Sequence, residues 1–143
     1  MLYFAYGSNM NLQQMARRCP GAVALGPARL PGWRLTERTF ADIDRDHEAE
    51  TWGVLWEITA AHLWALDRYE GAPALYTRRR VTVTLADPDT GRPTAHTALV
   101  YVMTRATKAA RQGCPYSQAY RAACSQGARE NGLPVNGYTY LTE

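Results

Sequence analysis

The stretch Tyr3–Asn9, Tyr-Phe-Ala-Tyr-Gly-Ser-Asn, commits the chain almost at its start. An apolar, aromatic run from Leu2 to Tyr6 predicts a strand buried on both faces, and Gly7-Ser8-Asn9 ends it at once in a polar turn. Such a junction leaves backbone N–H groups pointing outward, and Gly7 is free to take dihedrals that other residues avoid. A buried strand that runs into a polar loop sets a binding site on a rigid base.

The remaining pattern constrains what can surround that strand. Asn11 is placed to cap a short helix over Leu12–Arg18, which stops at Cys19-Pro20-Gly21. Ala22–Leu35, with Gly26, Pro27, Pro31 and Gly32, reads as a bent or bulged pair of strands. Thr39–Ala49 is acidic and irregular and reads as an exposed loop, followed by a strand over Thr51–Ile58. Thr59 caps a helix over Ala60–Tyr69 that Gly71 closes and Pro73 prevents from continuing. Tyr76–Leu85 and Thr94–Thr104 alternate around Asp87-Pro88-Asp89-Thr90-Gly91, a turn in which Pro presets one dihedral and Gly supplies a positive φ, so the two form a hairpin. Ser117–Asn131 reads as a helix ended by Gly132-Leu133-Pro134, with a short tail beyond. Strands and short helices without regular β-α alternation predict an α+β domain over residues 1–143, a curled antiparallel or mixed sheet with helices packed outside.

Composition excludes several function classes. The net charge of +3 arises from interspersed charges, unlike the basic stripe of a nucleic-acid binder. Arg78, Arg79 and Arg80 would alternate faces on a strand and read as a solvated rim, the competing reading being a hold on a substrate carboxylate. No apolar run approaches the roughly 18 residues of a membrane span, and the N-terminus lacks the layout of a signal peptide. The three cysteines, Cys19, Cys114 and Cys124, lack C-x-x-C spacing, which argues against a disulfide framework or zinc site and for a reducing cytoplasm. His47, His62 and His96 are scattered, so no metal is expected. Trp33, Trp52, Trp56 and Trp64 do not interleave with basic residues and read as core and rim packing.

Glu70 is the carboxylate that stands out. It sits at the C-terminal end of a predicted helix, where the helix dipole is negative and a second negative charge is unfavourable. An acid so placed has its proton affinity raised, which suits a general acid/base; a surface glutamate is the simpler alternative. Ser8 follows glycine in a strand-to-loop turn, but the G-x-S-x-G nucleophile elbow is absent. Gly7-Ser8-Asn9 also lacks the lysine and spacing of a phosphate-binding loop. Cys114 and Cys124 carry no local signature of a nucleophile. Tyr76, Tyr116 and Tyr120 could orient a ligand through their hydroxyls or simply satisfy one another in the core.

Taken together, YFAYGSNM, TWGVLWEI, LDRYEGAPALYTRRRVTV, YVMT and GARENGLP resemble the γ-glutamylcyclotransferase family, in family order from Tyr3 to Pro134. YGSN combined with L-D-x-x-E-G is a specific pairing, closer to the branch acting on γ-glutamyl dipeptides than to the γ-glutamylamine branch, whose loop resembles YGTL. The resemblance implies a small mixed, largely antiparallel β-barrel with flanking helices and a cavity at its mouth. It implies release of 5-oxoproline from a small-molecule γ-glutamyl substrate, without metal or redox cofactor, and with neither nucleic acid nor membrane as partner. Monomer and homodimer both stay open. By motif, Glu70 takes the place of the catalytic glutamate, and Tyr6, Gly7, Ser8 and Asn9 that of the loop holding the glutamyl moiety. Tyr120, within Pro115–Tyr120, and Tyr76, just after the glutamate block, take the places of substrate-contacting tyrosines. Thr36–Glu50 departs from the family pattern: it lacks the glycine-bearing stretch common before the W-G-V strand. Some relatives also carry a helical extension after GLP, which this sequence is expected to lack.

The implied chemistry needs one carboxylate, which takes a proton from the α-ammonium and returns it to the departing amine. Loop N–H groups at residues 7 to 9 would serve either the γ-carbonyl oxygen or the α-carboxylate. Three other readings compete: γ-glutamyl removal from a biosynthetic intermediate, a non-catalytic γ-glutamyl-binding module of this fold, and a hydrolase using Ser8 or Cys114.

Overall fold

The structure, a computed structural model, describes residues 1–134. It opens with β1 (Leu2–Ala5), a 3-10 turn at Ser8–Met10 and helix α1 (Leu12–Arg18). Strands β2 (Val23–Arg38) and β3 (Phe40–Glu57) form a long hairpin, followed by α2 (Ala60–Glu70). A second hairpin, β4 (Tyr76–Ala86) and β5 (Pro93–Met103), leads to α3 (Arg105–Arg111) and α4 (Gln118–Glu130). The five strands close into a barrel in the order β1-β3-β2-β4-β5. All pairings are antiparallel except the closing one, where β1 lies parallel to β5 with Tyr3 opposite Leu99. This is the small mixed barrel with flanking helices that the sequence implied.

Local signals set the element ends. The Asn11 side chain accepts from the Gln14 N–H and starts α1. Thr59 and His62 form a reciprocal capping box on α2, and Gly71 ends that helix with φ 65°. Ser117 caps α4 by accepting from the Tyr120 N–H. The β4–β5 hairpin runs in register from Tyr76 opposite Met103 to Ala86 opposite Pro93, as its turn sequence predicted.

Three expectations need correction. Ala22–Leu35 is not a strand pair: it belongs to the single strand β2, which bends at register shifts between Ala24 and Gly26 and between Pro31 and Trp33. Thr39–Ala49 is not an exposed loop: from Phe40 onward it is the first part of β3, and Ala41, Asp42 and Ile43 are buried. Helix α3, capped by Thr104, lay unassigned in the sequence reading. The short tail expected beyond Pro134 lies outside the described residues.

The second correction has an electrostatic cause. Asp42 is 0% exposed, yet its carboxylate is fully engaged. Arg38 Nη1 and Lys108 Nζ donate to its Oδ2 at 2.8 and 2.7 Å, and the Met103 N–H donates to its Oδ1 at 2.9 Å. Asp44 extends the cluster, taking 2.6 Å bonds from Arg38 Nη2 and Lys108 Nζ. Burial would raise the Asp44 carboxyl, but the bonds from Arg38 and Lys108 outweigh it and hold the group down at about 2. Charge that reads as solvated is thus spent internally, tying the hairpin tip to β5 and α3. The tip itself turns at Thr39, whose φ of 65° is unusual for a β-branched residue. The Thr39 N–H donates to the Cys114 carbonyl at 2.8 Å, which fixes that turn against the chain after α3.

Helix α4 packs on the 3-10 turn. A Cβ at Gly127 would come within 2.4 Å of the Asn11 backbone nitrogen, so only glycine allows this approach. Asn131 Nδ2 donates to the Met10 carbonyl at 2.8 Å and Asn11 Nδ2 to the Ala123 carbonyl at 3.3 Å.

Removing one partner of a buried ion cluster leaves the others uncompensated, at a cost of about 3–5 kcal/mol. Asp42→Ala is expected to lose stability of that order in urea unfolding, and Lys108→Met less, since Lys108 is the more exposed cation. A loss below about 1 kcal/mol for Asp42→Ala would show that the cluster does not hold the hairpin tip.

Candidate active site

The strand-to-loop junction, the hairpin tip and the ends of α2, α3 and β5 converge on one cavity of about 400 Å³. Its wall includes the residues that the family resemblance marked, Tyr6, Gly7, Ser8, Asn9, Glu70, Tyr76 and Tyr120, whereas Tyr116 is not part of it. Arg78, Arg79 and Arg80 are exposed and off this wall, and Arg78 pairs with Asp67 at 3.2 Å. No cysteine or histidine among the described residues lines it, so Cys114 and Cys124 lie apart from the chemistry and Ser8 has no imidazole to activate it.

Glu70 is the cavity's carboxylate, carried there by the last residue of α2. Burial pushes its carboxyl up to about 7, while the positive charge of Arg18 pulls the other way. Asn9 Nδ2 donates to Glu70 Oε1 at 3.3 Å and to the Tyr3 hydroxyl at 3.0 Å. On its other side, Asn9 Oδ1 accepts from Gln14 Nε2 at 2.9 Å and Arg18 Nη1 at 3.0 Å. The Asn9 amide is therefore saturated by protein, and what it offers the site is a fixed Glu70. Glu70 Oε2 has no protein partner among the described residues. Ser8 Oγ likewise accepts from Gln14 Nε2, at 2.7 Å.

The two tyrosines act as a pair on the hairpin tip. Tyr76 donates to the Ala41 carbonyl at 2.9 Å, and the Ala41 N–H donates to the Tyr120 hydroxyl at 3.0 Å. One peptide unit of β3 is clamped from both ends, which holds Phe40 and Ala41 in the wall. Tyr6 donates to the Tyr101 carbonyl at 2.6 Å. Burial raises the hydroxyls of Tyr3, Tyr6, Tyr76, Tyr101 and Tyr120 well above the ordinary phenol range, so near neutrality all five remain protonated. Glu70 is the cavity group poised to exchange a proton there.

Gly7 needs a different account from the one its position suggested. Its φ is −116°, outside the left-handed region. What demands glycine is room, since a Cβ would lie 2.7 Å from the Tyr120 hydroxyl and 3.2 Å from Ala41 Cβ. The following 3-10 turn bonds the Met10 and Asn11 N–H groups back to the Gly7 and Ser8 carbonyls. The Ser8 and Asn9 N–H groups begin that turn and are not consumed by it.

Sequence reasoning missed Tyr3, Gln14, Arg18, Tyr101 and Arg111, all on the wall. A signal existed for two of them: Gln14 and Arg18 are four residues apart on a helix that directly follows the polar loop, so they share the face nearest it.

A family model described as "Gamma-glutamyl cyclotransferase, AIG2-like" matches residues 3–122. The chain belongs to the γ-glutamyl cyclotransferase family. It is 33% identical to a Bos taurus protein named gamma-glutamylcyclotransferase, over 94% of this chain and 73% of that one. A solved structure titled gamma-glutamyl cyclotransferase superposes with a TM-score of 0.73 at 30% identity, covering 94% of this chain and 81% of the other. A Homo sapiens protein described as uncharacterised superposes with a TM-score of 0.78 at 30% identity, covering 99% and 92%. Among the described residues, this γ-glutamyl cyclotransferase homologue has no helix long and apolar enough to cross a membrane.

A carboxyl whose affinity for its proton rises on folding stabilises the fold below its unfolded value near 4.5, and that contribution disappears as pH rises through about 7. Glu70→Gln keeps the acceptor for Asn9 without the charge. The variant is expected to match the parent near pH 4 and to exceed it by up to about 3 kcal/mol at pH 8, read by urea unfolding. A difference independent of pH would mean that the carboxyl titrates normally.

Proposed function

We propose that this protein releases 5-oxoproline and a free amine or amino acid from γ-glutamyl compounds, with Glu70 as general acid and base. The observation that carries this reading is a near-neutral, buried carboxyl held by Asn9, on the same cavity wall as the turn opened by Ser8 and Asn9.

In this reading the γ-glutamyl chain folds back on itself inside the cavity. Glu70 Oε2 takes a proton from the α-ammonium, and the freed nitrogen attacks the γ-carbonyl carbon. The carbonyl oxygen becomes an oxyanion, for which the Ser8 and Asn9 N–H groups are the nearby donors. Glu70 then gives its proton to the departing nitrogen as the oxyanion reverts to a carbonyl and the original amide bond breaks. The ring nitrogen sheds its remaining extra proton, the released amine takes one up to leave as its ammonium, and the carboxylate is regenerated in each cycle. Because nucleophile and electrophile belong to one molecule, the wall's main contribution is orientation, which is worth up to roughly 7–11 kcal/mol in well-aligned intramolecular reactions. The tyrosine clamp on Ala41 suits that demand, since it fixes the wall opposite the loop without adding a titrating group. Three cysteines without C-x-x-C spacing support a reducing, cytoplasmic setting.

A panel of γ-glutamyl compounds, read out as 5-oxoproline, tests the assignment. The parent is expected to turn over at least one member, and Glu70→Gln to lose about 10³-fold or more in kcat while keeping its fold by circular dichroism. Full activity in that variant would remove Glu70 from the mechanism. Binding without turnover by the parent would favour a γ-glutamyl-binding module instead. The pH profile of kcat/KM should rise through about 7 as Glu70 loses its proton. Arg18→Met should move that limb upward, because the positive charge opposing the shift is then gone.

A further inference from the structure

The cavity wall carries two guanidinium groups, and each has a different task available to it. Arg18, on α1, bonds Asn9 and acts on Glu70, so it belongs to the proton-transfer side. Arg111 is the last residue of α3 and reaches the wall beside the hairpin tip. Its guanidinium lies over the Phe40 ring, 5.2 Å from the centroid. Among the described residues no carboxylate, carbonyl or hydroxyl accepts from it, whereas Arg38 at the end of β2 and Lys108 one turn earlier on α3 are heavily paired.

The position is also braced. Arg38 Nε donates to Gln112 Oε1 at 3.1 Å, and the Thr39 N–H donates to the Cys114 carbonyl. These bonds pin the chain on the C-terminal side of Arg111 to the hairpin tip. A cation in the last turn of a helix is favoured by the dipole, which accounts for a basic residue there. It does not account for a guanidinium seated over an aromatic ring in a cavity wall with no acceptor among the described residues. A guanidinium seated over an aromatic face satisfies none of its N–H donors there and leaves them available to a carboxylate. Burial raises the Tyr76 hydroxyl, and the charge of Arg111 opposes that rise, so Arg111 is felt inside the cavity at Tyr76, while the Glu70 carboxyl responds to Arg18.

We infer that Arg111 is the specificity-determining residue by which this chain reads the carboxylate of an amino-acid leaving group. This rests on the cyclotransferase reading above and adds a division of labour to it. The reacting nitrogens lie by Glu70 and Arg18, and the departing residue extends towards Phe40 and Arg111. A γ-glutamyl amino acid brings two carboxylates and one ammonium, a match for a wall with two cations and one carboxylate.

Two substrates that differ in this one group decide the matter: γ-glutamyl-alanine and γ-glutamyl-ethylamide. The parent is expected to prefer the first, and Arg111→Gln to lower kcat/KM for it by roughly 10- to 100-fold, the worth of one charged hydrogen bond. The ethylamide should be turned over as before. Equal losses on both substrates would put Arg111 on the glutamyl end and overturn the inference, as would no loss on either. Arg111→Lys should recover part of the preference; recovery equal to the parent would argue against planar, two-pronged recognition but not against the charge. Dissociation constants for both compounds are measured in parallel on Glu70→Gln with and without Arg111→Gln. If no variant turns over either compound, the cyclotransferase reading fails, and the selective loss of γ-glutamyl-alanine affinity on removing Arg111 still stands or falls by itself.

Discussion

Closure of the barrel by a strand of four residues is the constraint on which the rest depends. β1 pairs along its whole length with β3 and touches β5 in the parallel sense, so its side chains have nowhere to go but the core. Phe4 and Ala5 are essentially inaccessible. A strand held on both edges cannot slide without moving apolar residues to the wrong face, so the residues that follow it leave the barrel at a fixed place and angle. Tyr6 to Asn9 inherit that position. The other components arrive at the same end of the barrel from the start of β4, the end of β5 and the helices that cover it.

The contrast between two carboxylates shows how position sets chemistry. Asp44 and Glu70 are both partly withdrawn from water. Asp44 takes short bonds from Arg38 and Lys108, and its charged form is favoured. Glu70 takes one longer bond from a neutral amide and feels Arg18 from a distance, so desolvation prevails and its proton is held more tightly. The first arrangement serves to hold structure, because the charge never needs to change. The second leaves the charge negotiable, which is what a group that both accepts and donates a proton requires.

What could be read from the sequence divides along the same line. Asn11, Thr59, Gly71 and the Asp87–Gly91 turn act through neighbours within a few residues, so their signals are local and the elements they bound were legible. The first half of β3 was not, because Asp42 and Asp44 look solvent-facing until Lys108, more than sixty residues away, is known to lie against them. Helix α3 escaped because its one clear signal, Thr104, follows directly on a strand and the helix has only seven residues. For the site, Glu70 and the Tyr6–Asn9 loop were visible through motif resemblance. Arg18 and Arg111 acquire meaning only from a cavity assembled by strands and helices far apart in sequence, and Gly7 was assigned to flexibility when the governing demand is the nearness of Tyr120.

The approach of α4 to the Met10–Asn11 backbone at Gly127 has a consequence for how such a protein can diverge. On that side of the cavity, backbone meets backbone, and no side chain can be introduced at Gly127 without forcing the loop and the helix apart. On the far side the wall is made of side chains, Phe40 and Arg111, resting on a hairpin tip that is secured from behind. Substitutions there alter shape and charge while the clamp on Ala41 stays in place. The half of the pocket proposed to hold the glutamyl group is thus closely constrained, and the half proposed to meet whatever is attached to it is more open to variation. New substrates would be won by redecorating the hairpin side, with the reaction itself left untouched.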